Sequence, residues 1–201
     1  MHQLISQDKL YFFGLNETWL KDVISNSFLT SRSHLIIRQD RVDRTGGGVA
    51  LYYNSLFSSL LLTSHQDPCT GVEFVLTESS FTQLETITQL IIYRPPSVHP
   101  NNLVTVFEYL RPFIIDAQRY VLCGDLNLDC ADSVKELFLA SLLSSHGLQR
   151  VPFVPTHFTA SSQTEIDVIA FGGNLSLLSS SKHLTLTPGG HLRLAALSTP
   201  D

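Results

Sequence analysis

Directly after the apolar run Tyr120–Cys123 stand Gly124, Asp125, Leu126 and Asn127. A strand that ends in Gly-Asp-x-Asn projects a carboxylate and an amide from a sheet edge, while the intervening Leu126 turns back into the core. Hydrolysis of a phosphodiester calls for such a pair: one group positions or deprotonates water, and an amide orients the phosphate without adding negative charge. The same four residues also spell an Asx-turn that does nothing more than close a strand.

Glu17, in Leu15-Asn16-Glu17-Thr18-Trp19-Leu20, again follows an apolar run. A hard divalent cation such as Mg2+ takes oxygen ligands, and one carboxylate plus waters is a common site for it. An acidic residue opening a helix, favoured by the macrodipole, is the plainer alternative. Tyr93 closes another apolar run and leads into Arg94-Pro95-Pro96. Its hydroxyl could donate to a phosphate oxygen, or its ring could simply pack at a strand end. Asp167 lies inside Ile166-Asp167-Val168-Ile169, and a charge so flanked needs a partner. His191, in Pro188-Gly189-Gly190-His191, is the natural one, because an Asp–His pair fixes the imidazole and stabilises its charged form. A solvated loop histidine is the commoner fate. Arg32, Arg38, Arg41 and Arg44, with Asp40 and Asp43, precede Gly46-Gly47-Gly48. That stretch could meet a nucleic-acid backbone or form a solvated loop; it is no P-loop, because no Lys-Ser/Thr follows.

These candidates need elements to hold them. Strand-like runs fall at Leu10–Leu15, His34–Arg38, Gly48–Tyr53, Leu60–Thr63, Val72–Thr77, Thr86–Tyr93, Tyr120–Gly124, Ile166–Phe171, His183–Leu186 and Leu192–Leu197. Each is short, rich in aliphatic or aromatic residues and bounded by Gly, Pro, Ser or Asn. Helical spacing of Leu103, Val106, Phe107, Leu110 and Ile114 predicts a helix over Asn102–Ala117, capped by Asn101 or Asn102 and kinked or cut short at Pro112. A second helix is predicted from a capping box of Ser133 and Glu136, a stripe of Leu137, Phe138, Leu142 and Leu143, and a stop at Gly147. The serines of Ser176–Ser181 read as a loop. Many strands with few helices imply mixed α and β, two packed sheets with helices outside.

With 201 residues, 43% of them hydrophobic and 15% charged, the chain can bury one sizeable core and reads as one domain, residues 1–201. No apolar run approaches the ~20 residues of a membrane span, and the N-terminus lacks the pattern of a secretory signal. The expectation is a soluble, intracellular protein. A net charge of −5 argues against nucleic-acid binding by bulk electrostatics, but not against a nuclease, since a bound cation reverses the field of clustered carboxylates. Cys69, Cys123 and Cys130 lack zinc-type spacing and read as free buried thiols in a reducing compartment.

In order along the chain come Glu-Thr-Trp-Leu, Gly-Gly-Gly-Val-Ala-Leu-Tyr, Tyr-Arg-Pro-Pro, Gly-Asp-Leu-Asn, Pro155-Thr156-His157 and Ile-Asp-Val-Ile. This series resembles the apurinic-type endonuclease domain of non-LTR (LINE-type) retrotransposons, within the endonuclease/exonuclease/phosphatase superfamily. The likeness runs from about Leu10 to His191. It implies a four-layered α/β-sandwich of two packed mixed sheets flanked by helices, with the site at the sheet edges. It also implies Glu17 and Asp125 at a Mg2+ or Mn2+ ion, and Asp125 and Asn127 on water and phosphate. Tyr93 and His191 would contact the phosphate, and Asp167 would orient His191. The implied partner is DNA, with no small-molecule cofactor and no membrane, and a working protein would be nuclear.

Two departures from the family pattern stand out. Family members begin with a further strand that carries a metal-site Asn, and this sequence starts near the end of the helix that follows it. Where the family has Ser-Asp-His, this chain has Gly189-Gly190-His191, without the carboxylate. The expectation is therefore DNA nicking that is impaired. The alternative is a non-catalytic remnant acting as a binding module or having no function. A phosphatase of the same superfamily fits the Glu-Thr-Trp and Tyr-Arg-Pro-Pro motifs least well.

Overall fold

A three-stranded sheet is built from β1 (Phe12–Asn16), β2 (His34–Gln39) and β3 (Val49–Asn54), in the order β1-β3-β2 and antiparallel throughout. All six residues of β3 are buried, which is why its sequence, Val-Ala-Leu-Tyr-Tyr-Asn, is apolar almost without alternation. The computed structural model describes residues 11–42, 46–66, 69–82, 85–152, 157–158, 163–184 and 191–198. A second, six-stranded sheet joins β4 (Ser58–Gln66), β5 (Glu73–Thr82), β6 (Glu85–Tyr93), β7 (Arg119–Asp125), β8 (Leu148–Arg150) and β11 (Asp167–Gly173). Its order is β4-β5-β6-β7-β11-β8. Strands β6 and β7 pair in parallel, and the helix α1 (Asn102–Ile114) supplies the crossover that parallel neighbours require. A second helix, α2 (Ser133–Ser145), follows β7. Two small ladders complete the strands, β9 (His157–Phe158) with β10 (Gln163–Thr164), and β12 (Ser176–Leu184) with β13 (His191–Ser198).

Alternation along each strand sorts the core into layers. Phe74 and Leu76 of β5, Leu90 and Ile92 of β6, Leu122 of β7, and Val168 and Ala170 of β11 face the helices. There they meet Leu103, Val106, Phe107 and Leu110 of α1 and Leu139 and Leu142 of α2. The residues between them, Val75, Ile91 and Tyr93, face the other sheet and pack on Val49 and Leu51, with Phe12, Ile37 and Cys123 alongside. The outer face of the three-stranded sheet is covered by Leu20 and Leu29 from the segment after β1, which carries a single short 3-10 turn, Asn26–Phe28. The result is the α/β-sandwich that the sequence predicts, with the three-stranded sheet antiparallel rather than mixed.

The strand-like runs fall within or against the observed strands over the described residues. Three local expectations need correction. Ser176–Ser181 belongs to β12, paired with β13, and is not a loop. Helix α1, by contrast, ends early as expected, at Ile114, two residues past Pro112, and Asn101 stands at its cap, without a side-chain hydrogen bond. The cap of α2 is Asp132, whose carboxylate accepts from the Val134 and Lys135 N–H groups. Glu136 is thereby left free to accept from Arg150 at 2.9 Å instead of closing a capping box with Ser133. Finally, Leu139, Leu142 and Leu143 form the buried side of α2, and Leu137 is exposed. Gly147 does stop the helix, in the left-handed conformation at φ +67°.

Candidate active site

The register of the six-stranded sheet brings distant candidates into one row. Tyr93 lies opposite Asp125 across the β6–β7 pair, Asp125 lies opposite Asp167 across β7–β11, and Glu73 lies opposite Tyr93 across β5–β6. Each alternates with residues packed against the helices, so by the period of two the row faces the other sheet. Gly124 is required for this. A Cβ there would run into the Ile92 carbonyl, and its absence lets β6 and β7 draw together at the end of the row.

Glu17 arrives from the opposite sheet. No helix follows it. The chain leaves β1 with Glu17 and Trp19 both in the left-handed region, φ +51° and +55°, and the carboxylate accepts a hydrogen bond from the Tyr93 hydroxyl. Burial, then the hydrogen bond and the negative charge of Glu17, hold the Tyr93 phenol well above its ordinary pKa, so it is a proton donor at any physiological pH. Tyr93 itself is 3% exposed whereas Glu17 is open to solvent.

Asp125 makes the Asx-turn that its sequence allows: Oδ1 accepts from the Asn127 N–H at 2.9 Å, and Asn127 takes φ +49°. Leu126 is fully buried between them. The Asp125 carboxyl is nevertheless pushed up to about 7. Burial is the first cause, and the charges of Asp167 and Glu17 add to it against the opposing Asn127 N–H and Arg94. Three carboxylates, of Glu17, Asp125 and Asp167, thus gather at one end of the sandwich.

Arg94, whose role is invisible in Tyr-Arg-Pro-Pro, fastens this corner. It is 3% exposed. Its N–H donates to the Asp125 carbonyl at 3.0 Å, Nε to the Leu126 carbonyl at 2.6 Å, and Nη2 to the Asn127 carbonyl at 2.6 Å. A further bond runs from Nη1 to the Val98 carbonyl, and Asn127 Nδ2 returns one to the Arg94 carbonyl at 2.9 Å. The guanidinium has its donors spent on main-chain oxygens that would otherwise be buried and unpaired, and the loop bearing Asp125 and Asn127 is tied to the strand bearing Tyr93.

A second buried pair lies behind Tyr93. Arg41 bonds Glu73, with side chains 7% and 1% exposed. Glu73 also accepts the Gly48 N–H at 2.6 Å, and the Arg41 guanidinium carbon sits 5.9 Å from the centre of the Tyr93 ring. The Gly47 and Gly48 carbonyls in turn accept the Trp19 and Thr18 N–H groups at 2.9 and 3.2 Å. Gly47, at φ +74°, passes so close to Arg41 that any side chain would strike the guanidinium. The glycine run is therefore a support for the Glu17 loop. Of the arginines expected near a nucleic acid, Arg41 is committed to Glu73, and Arg38 donates to the Ile24 carbonyl at 2.5 Å and pairs with Asp40 at 3.4 Å. Nothing local in the sequence distinguishes these from solvated arginines, because the groups that bury them, Glu73 and the Ile24 carbonyl, lie 32 and 14 residues away.

His191 opens β13, and its side chain, like Gly190 and the Pro155-Thr156 motif, lies outside the described residues, so the expected Asp167–His191 pair does too. Among the described residues no group of three or more His, Cys, Asp or Glu side chains is arranged to hold a metal ion, and no helix is long and apolar enough to cross a membrane.

The same architecture occurs in solved structures. The endonuclease domain of TRAS1, a telomere-specific non-LTR retrotransposon, superposes with a TM-score of 0.69 at 14% identity, over 98% of this chain and 90% of that one. An endonuclease/exonuclease/phosphatase from Bacteroides vulgatus matches equally, with a TM-score of 0.69 at 14% identity over 98% and 88%. The catalytic domain of human Nocturnin gives 0.65 at 14% identity, over 99% and 84%. At such identities these likenesses speak to the fold alone. No sequence among curated proteins is significantly similar to the chain. The sequence profile described as Endonuclease/Exonuclease/phosphatase family, however, matches residues 1–189. With that match over nearly its whole length and the fold in agreement, the chain belongs to the endonuclease/exonuclease/phosphatase family, whose chemistry is hydrolysis of phosphodiesters or phosphate esters.

Proposed function

We propose that the chain is a divalent-metal-dependent DNA endonuclease of the non-LTR retrotransposon type, slowed by Gly190 where the family places a carboxylate. The observation that carries this reading is the row Tyr93–Asp125–Asp167 met by Glu17 from the opposite sheet. The donors there are hard oxygens, as Mg2+ or Mn2+ prefers. Burial, with the neighbouring Asp167 and Glu17, raises the Asp125 carboxyl, and Asn16 Oδ1, one residue before Glu17, is buried with no hydrogen-bond partner. The donor set therefore fits a divalent cation, and solvent-exposed Glu17 with Asp125 would hold it. When bound, the ion neutralises charge on the phosphate.

The protein's own groups do the rest in this reading. Asp125 positions and deprotonates the attacking water. Asn127, fixed by its bond to Arg94, orients the phosphate without adding charge. Tyr93, held protonated, donates to a phosphate oxygen once Glu17 turns to the cation. Asp167 orients His191 towards the phosphate. Acting on chromosomal DNA, such a protein works in the nucleus.

Substrate choice tests the reading. With Mg2+, the chain is expected to convert supercoiled plasmid to the nicked form and to release little phosphate from 4-nitrophenyl phosphate. Rapid phosphate release with intact plasmid would replace the endonuclease by a phosphatase of the same family.

A further inference from the structure

Trp19 is the sole tryptophan of the chain and is 60% exposed, although its backbone is among the most constrained in the structure. Its φ of +55° is a conformation that bulky side chains seldom adopt, and such strain persists only where neighbours enforce it. The neighbours are identifiable. The Trp19 N–H donates to the Gly47 carbonyl at 2.9 Å, and Gly47 rests on the buried Arg41 that stacks on Tyr93. A Cβ built on Gly46 would lie 3.8 Å from indole Cε2 and Cζ2, so the ring stands beside the glycine run. Thr18 turns inward, with Oγ1 against Gly48. Glu17 and Trp19, on either side of it, both turn out to solvent.

We propose that Trp19 is a stacking platform for a nucleobase next to the scissile phosphate. The inference rests on the DNA-nicking reading above and adds to it how the strand is gripped. A phosphate brought to Glu17 and Asp125 carries its own nucleotides with it, and the exposed indole stands two residues from Glu17 on the same loop. A protein of net charge −5 has little general attraction for DNA, so base stacking, which tolerates any base, supplies grip that its electrostatics do not.

Because the chain has one tryptophan, its fluorescence reports on this residue alone. The intact chain in Mg2+ is titrated with a short labelled DNA oligonucleotide and with oligonucleotides made abasic at one position at a time. Fluorescence is followed beside the anisotropy of the labelled DNA, and hydrolysis of bis(4-nitrophenyl) phosphate is measured in parallel. The expected result is saturable quenching and loss of affinity of about tenfold or more for one abasic position. Trp19→Ala should bind every oligonucleotide equally weakly, and Trp19→Phe should keep most of the parent's preference. If the DNA binds with Trp19 fluorescence unchanged and Trp19→Ala binds as the parent does, the platform is overturned while the nuclease reading stands. If the parent neither binds DNA nor hydrolyses the diester, both fall together.

Discussion

At the scale of single residues, Asp125 bears the sharpest consequence. Its carboxyl, near 3.8 in an unfolded chain, stands at about 7 in the fold. A folded pKa raised above the unfolded one means stability that is complete below about pH 4 and is lost as pH rises through 7. We expect the metal-free protein to lose on the order of 2–4 kcal/mol from this group between pH 4 and 8. Asp125→Asn should remove that slope, so that the variant is the more stable one at pH 8, and Mg2+ should return stability to the parent alone. Urea titrations of both proteins at pH 5 and 8, with and without metal, check this; equal slopes would contradict it. Much of this corner was legible in the sequence. Gly-Asp-Leu-Asn after an apolar run announces a strand-end carboxylate, and Leu126 is buried as the alternation requires. Arg94 was not legible, because its donors reach main-chain oxygens that no local pattern names.

At the scale of elements, the sheet register does the assembling. Periodicity alone predicts that Tyr93 and Asp125 end strands; that they stand side by side follows from the parallel β6–β7 pair, and the α1 crossover makes that pair possible. The support behind them is the Arg41–Glu73 pair. Sequence reading placed Arg41 at a surface because its partner is on another sheet, 32 residues on. Removing one member of a pair so buried strands the other charge. Arg41→Met is therefore expected to cost about 3–5 kcal/mol. Arg41→Met combined with Glu73→Met should recover a good part of that, since the uncompensated carboxylate goes too. Chemical denaturation of the two variants decides it, and a single variant within about 0.5 kcal/mol of the parent would show that the pair is not holding the Glu17 loop. The misread cap of α2 has a similar source. Asp132 and Ser133 are both good caps by type, and the choice between them follows from Glu136 finding Arg150 across the fold.

At the scale of the whole molecule, two sheets converge so that one acidic row from the larger meets one glutamate from the smaller. The sandwich was legible from the count and spacing of strands. The failure at Ser176–Ser181 shows the limit of composition, because a run of serines pairs as well as any other segment when a partner strand, here β13, supplies the ladder. The central claim is that this converging set hydrolyses DNA through Asp125 and is slowed by Gly190. Nicking of supercoiled plasmid in Mg2+ by the parent, Asp125→Ala and Gly190→Asp tests it most directly. Slow nicking by the parent, none by Asp125→Ala and a gain of at least about tenfold, or ~1.4 kcal/mol of barrier, in Gly190→Asp is the predicted result. Folded parent and Gly190→Asp proteins that both leave the plasmid intact, or nicking that survives Asp125→Ala, would contradict the account.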